Sequence, residues 1–178
     1  MTLEEAIQHQ RNCYDTLLQT ATFVACNLAD NLLPVNELTV QVYRVPSHVL
    51  HSIANPNANG CAMNYEGRYA IFLSDHPSAA PGRLPSLTGH WLSRFYLLHE
   101  YAHVRNGDVF EDHHEASYNL RMQAQEGDFK AKETLKQQEL RAEGYAAHRV
   151  MQEAEVVGNK VLRQELQAEI KHRGLPQS

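Results

Sequence analysis

His99, Glu100 and His103 are the residues of this chain whose types and spacing suit one piece of chemistry, and they stand in the run Leu97-Leu98-His99-Glu100-Tyr101-Ala102-His103-Val104. On a helix, side chains four apart differ by about 40° in direction and about 6 Å along the axis. Two imidazoles so placed reach one small tetrahedral cation from the same face. Glu100 then points about 100° from His99 and about 60° from His103, beside the cation rather than onto it. A carboxylate there can take a proton from a water that the cation activates. The chemistry suggested is metal-assisted hydrolysis. It needs more than these residues, because a catalytic zinc takes three protein ligands and keeps one position open.

The third ligand is not close by in the sequence. In the pattern His-Glu-x-x-His-x-x-Gly-x-x-His, Gly107 is one position off and no histidine follows at the required spacing. The alternative is an acidic residue on a second helix, and Gln138-Glu139-Leu140-Arg141-Ala142-Glu143-Gly144-Tyr145-Ala146-Ala147 fits that role. Glu139 and Glu143 share a helical face with Ala142 and Ala146, whose small side chains would let this helix come close to the first. Glu139 is the expected ligand. Glu143 is expected to accept a hydrogen bond from a ligand imidazole and fix its tautomer. Taken singly, each segment has a plainer reading, as partly buried histidines or as an acidic pair on a solvated helix. Together they favour the metal.

The same two segments carry a resemblance. His-Glu-x-x-His followed by Glu139-x-x-Ala142-x-x-Tyr145-Ala146-Ala147 resembles the ImmA/IrrE-type zinc metallopeptidases, a gluzincin-like group. The resemblance spans roughly residues 40–151, with its detailed motifs in two short windows. It implies a zincin-like fold and one Zn2+ per chain, held by His99, His103 and Glu139 with Glu100 as the base. It also implies cleavage of a peptide bond in a protein or peptide substrate, with regulatory proteins such as repressors as the suggested class. Glu143 stands where the family usually has Asn, and residues 115–137 read as a helical insertion between the two motifs. Two other expectations fit the same residues. One is a catalytically silent zinc-bound sensor or interaction domain, and the other is a zinc hydrolase acting on a non-peptide bond.

These groups need a scaffold. The periodicity predicts an α+β domain over residues 1–178, with a small, mostly antiparallel sheet packed on the His-Glu-x-x-His helix and further long helices. Thr2 and Glu5 suit a capping box, and apolar residues from Leu3 to Leu32 recur at helical spacing, which predicts one N-terminal helix within residues 1–34. Cys13 and Cys26 ride on it as packing or surface residues. Residues 38–75 form the β-region: a strand Leu38–Arg44, a short helix from Pro46 to Ile53, and strands Cys61–Asn64 and Tyr69–Leu73 joined around Glu66-Gly67. The strand Tyr69–Leu73 is a candidate edge for β-pairing with an extended substrate. Ser86 or Thr88 can cap the active-site helix, within residues 86–107, and Asn106-Gly107 ends it. Trp91, Leu92, Phe95, Leu98 and Ala102 form its inward stripe with His99 and His103. Residues 115–174 read as helical, with breaks near Gly127-Asp128 and Gly158-Asn159.

Composition narrows the partners. The net charge of −5 is spread along 178 residues without a basic run, which counts against direct nucleic-acid binding. Three cysteines at unrelated spacings suggest no disulfide framework, and neither a signal peptide nor a membrane-length apolar run is legible. A cytoplasmic protein with reduced thiols is the expectation. Cys61 has two readings: a small core residue, or a regulatory thiol whose thiolate occupies zinc's open position. Tyr65, Tyr118, His113 and His114 are candidates to stabilise an oxyanion, each also readable as surface or core.

Overall fold

The computed structural model describes residues 1–26, 40–79 and 84–177. Helix α1 (Leu3–Thr20) opens with the expected capping box: the Thr2 hydroxyl accepts from the Glu5 amide at 3.2 Å, and the Glu5 carboxylate accepts from the Thr2 amide at 2.7 Å. The helix does not continue towards residue 32. It stops at Thr20, and Thr22–Cys26 form strand β1, so Cys26 lies on a strand. Thr22, Phe23 and Val24 are β-branched or aromatic, and pairing with β2 (Val40–Val45) outweighs the helical spacing of Ala21 and Val24. Residues 27–34 of that expected helix, and Leu38 and Thr39 of the expected strand, lie outside the described residues.

From β2 the chain passes through helix α2 (Ser47–Ile53) into the hairpin β3 (Gly60–Tyr65) and β4 (Arg68–Ser74). Glu66 and Gly67 make the connection with φ of 50° and 81°, the left-handed pair that suits the twist of a two-residue hairpin. Downstream come α3 (Gly89–Asn106), a 3-10 turn (Phe110–Asp112), α4 (His114–Gln125), α5 (Phe129–Val156) and α6 (Lys160–Arg173). Thr88 takes the N-cap position of α3 without a side-chain bond, while the Ser86 amide and hydroxyl bind Glu165 of α6. The helices break at Gly127 and Gly158, as the sequence predicts.

The sheet order is β1-β2-β4-β3, antiparallel except for the β2–β4 pair. The architecture is therefore α+β, with a mixed four-stranded sheet and six α-helices among the described residues. The order also corrects an expectation. β4 carries Tyr69–Leu73 and is interior, paired on both sides; among the described residues the edge strands are β1 and β3, and β3 is the one that lines the cleft described below. Alternation along β4 sends Ile71 and Leu73 to one face and Ala70 and Phe72 to the other. Ile71 and Leu73 join Val40 and Val42 in a core with Leu98 and Ala102 of α3, Ala142 and Ala146 of α5, and Leu162 and Leu166 of α6. Ala70 and Phe72 pack with Tyr14 and Leu17 of α1 and Leu50 of α2.

Two features fix α5 against α3. Ala142 and Ala146 are wholly buried, which lets the helices lie close. Near the far end of the contact, Arg94 binds both oxygens of Glu153 at 2.8–3.1 Å, a buried bidentate pair. No helix among the described residues is long and apolar enough to cross a membrane.

Candidate metal centre

Leu98, Tyr101 and Ala102 bury one side of α3 in the core, and this directs the neighbouring positions 99, 100 and 103 towards β3 and α5. The His99 and His103 side chains are 17% and 14% exposed, while Glu139, opposite them on α5, is 65% exposed at the mouth of a cleft. His99 Nε2 lies 3.3 Å from His103 Nε2. Glu139 reaches His99 Nε2 with Oε2 at 3.4 Å and His103 Nε2 with Oε1 at 3.6 Å. Three donors bound to one tetrahedral zinc at ligand distances of about 2.0–2.2 Å would stand about 3.3–3.6 Å from one another. The spacing fits. His99, His103 and Glu139 together can hold a metal ion.

The surrounding groups suit that task. Asp108 Oδ2 is 3.5 Å from His103 Nδ1 and is buried without a hydrogen-bond partner. A carboxylate on that side favours the tautomer protonated on Nδ1, which leaves the Nε2 lone pair for a cation. Burial works against a charged His99, but the Glu139, Glu100 and Glu143 carboxylates outweigh it and raise its pKa above the ordinary value. The His99 hydrogen bond outweighs burial at Glu139 and holds that carboxyl below its usual range. Glu100 is 8% exposed, and burial pushes its pKa up against the pull of the two imidazoles. The Ala62 amide of β3 donates to its carboxylate. The arrangement thus combines three donors for a cation with a buried carboxyl beside them.

Comparison with protein-family models, with curated proteins and with solved structures gave no match. The reading of the site therefore rests on its own geometry.

The structure brings together His99, Glu100, His103 and Glu139, from two segments about 35 residues apart in sequence. Glu143 sits one turn beyond Glu139. Its carboxylate is held by the Arg173 guanidinium of α6, with Oε2 at 2.6 Å from Nη2, and reaches His99 as a nearby charge. Asp108 is a further carboxylate placed beside a ligand imidazole, that of His103. Cys61 packs with the α1-side cluster, whereas Ala62 joins the core against α3, because side chains alternate along β3. Burial pushes the Cys61 thiol well above its usual pKa. Cys61 is partly exposed and lines the same cleft as His99, His103 and Glu139.

The oxyanion candidates lie elsewhere. Tyr65 stacks on Tyr14, the Tyr118 hydroxyl donates to the Met1 carbonyl, and His113 and His114 line a separate shallow depression. The tyrosine that lines the cleft among the described residues is Tyr96, with its hydroxyl on the Ser78 carbonyl at 3.2 Å.

Asp108 and Gly60 are the site residues that sequence reasoning missed. The signal for Asp108 was present. Gly107, at φ 68°, reverses the chain and the Asp108 amide bonds back to the His103 carbonyl at 3.0 Å, so the next side chain falls over the last turn of α3. Gly60 left no signal, since a glycine opening a strand after turn residues is unremarkable in sequence.

Proposed function

We propose that this chain is a zinc-dependent metalloendopeptidase with a zincin-like fold, acting on a protein substrate in the manner of the ImmA/IrrE-type peptidases that its motifs resemble. The observation that carries the reading is the convergence of two imidazoles and one carboxylate: His99 Nε2 and His103 Nε2 lie 3.3 Å apart, Glu139 Oε2 is 3.4 Å from the first and Oε1 is 3.6 Å from the second, with Glu100 buried alongside. Zinc bound to those three residues supplies Lewis acidity that lowers the pKa of water and polarises a carbonyl. Glu100 removes the proton from the attacking water and passes it to the departing amine. Its burial favours the protonated carboxyl and so suits the second half of that shuttle. Asp108 keeps the His103 ring turned with Nε2 inward. An extended substrate runs along the edge strand β3, which lines the same cleft from Gly60 to Met63. Regulatory proteins such as repressors are the substrate class suggested by the resemblance.

The test is metal content together with proteolysis. Purified protein is expected to carry one zinc per chain, and Glu139→Ala to lose most of it. Glu100→Gln is expected to keep zinc and lose peptide hydrolysis by roughly a hundredfold or more. Absence of stoichiometric zinc from the wild type would refute the reading. Retained zinc with function untouched by Glu100→Gln would show a metal-bound interaction domain instead.

A further inference from the structure

Gly60 opens β3 directly across from Glu100. A methyl group built on it would stand 2.9 Å from Glu100 Cγ, 3.2 Å from Glu100 Oε1 and 3.2 Å from Leu73 Cδ2. Real side-chain carbons are almost never that close to a neighbour, so a side chain at position 60 and the present Glu100 conformation exclude each other. The backbone does not need glycine here, because Gly60 is not among the glycines with positive φ. Glycine is otherwise unfavourable inside a strand. What the position uses is the missing side chain.

The neighbouring strand residues complete a seat. Ala62, two residues on and on the same face, packs in the core against α3. Its amide donates to the Glu100 carboxylate. Glu100 is thus held between a bare patch of strand at Gly60 and a donor at Ala62. We propose that Gly60 is a positioning residue for the catalytic base: the space left by its missing side chain seats the Glu100 carboxylate against β3, beside the three metal-binding groups. The inference rests on the metallopeptidase reading for its catalytic meaning, though not for its geometry.

A double-mutant cycle tests the seat without reference to activity. Thermal denaturation is measured for wild type, Gly60→Ala, Glu100→Ala and the double variant. The added methyl is expected to be unfavourable beside Glu100 and neutral or favourable once Glu100→Ala has vacated the seat. The same change in Tm in both backgrounds would overturn the proposal. If Gly60→Ala does not fold alone, recovery of folding in the double variant supports the seat, and failure of both refutes it. In the zinc-loaded enzyme, Gly60→Ala should keep stoichiometric zinc and a KM within about twofold while kcat falls roughly a hundredfold. An unchanged kcat would also overturn it. A wild type without hydrolysis would instead count against the metallopeptidase reading, and the Tm cycle would still decide the seat.

Discussion

Glu111 shows how a single carboxyl can make stability depend on pH. It lines the same cleft as Glu100, at the far end of β3, and the Asn64 amide donates to it. Burial pushes its pKa up from 4.5 to about 7, and neither that amide nor Arg121 offsets the effect. Between those two values the folded chain keeps a proton that the unfolded chain has released. Stability therefore falls as pH rises through this window. Glu111→Gln keeps an acceptor for the Asn64 amide and removes the titration. Its Tm is expected to exceed that of wild type at about pH 8 and to converge with it towards pH 4.5, measured with chelator so that metal binding adds no pH dependence of its own. A gap that widens on acidification would show that Glu111 is ionised when folded.

At the scale of elements, the site depends on how α5 is held, and α6 takes part in holding it. Arg173 of α6 binds the Glu143 carboxylate, one turn from Glu139, and Leu175 just beyond α6 is buried in the core. Gly144 makes room for this closure. A side chain there would overlap the Pro176 carbonyl oxygen and lie 3.1 Å from the Pro176 nitrogen. Helix propensity and packing predict opposite signs for Gly144→Ala. Alanine in a helix interior is better than glycine by about 1 kcal/mol, whereas forcing extra volume into a packed contact costs about 1–3 kcal/mol. The obstacle is backbone rather than the end of a flexible side chain, so packing should win. Urea denaturation is expected to show Gly144→Ala less stable than wild type; a gain in stability would mean that the segment after α6 does not pack there. The β-region follows a similar logic. Thr22–Cys26 has helical spacing, but the side of β2 away from β4 offers backbone partners that only an extended segment can use.

At the scale of the whole molecule, the donor set joins α3 to α5. A metal bound to His99, His103 and Glu139 therefore ties together two helices that the unfolded chain does not hold near each other. Stability should rise with free zinc as RT ln(1 + [Zn]/Kd), about 2.7 kcal/mol at a hundredfold excess over Kd. Calorimetry with and without chelator checks this: Tm should fall on chelation in wild type and barely move in Glu139→Ala. An equal response in both would place the metal elsewhere.

Much of this was legible in the sequence because it is local. The α1 capping box, the Glu66-Gly67 hairpin, the Gly107 stop of α3 and the breaks at Gly127 and Gly158 depend on dihedral preference and short-range bonds. The spacing of His99, Glu100 and His103 is a property of one helix, and Glu139 was readable because small residues on its face announced a close neighbour. The rest depends on partners that only folding brings together. Which strands lie at the edges is a matter of sheet order. The identity of the residue held by Arg173 depends on where α6 returns, and Asp108 becomes an imidazole partner only after Gly107 turns the chain. The helix around His99 and His103 was determined by sequence alone. The seat of Glu100 against Gly60 was decided by the tertiary structure, because a missing side chain acquires meaning only from the atom that fills its space.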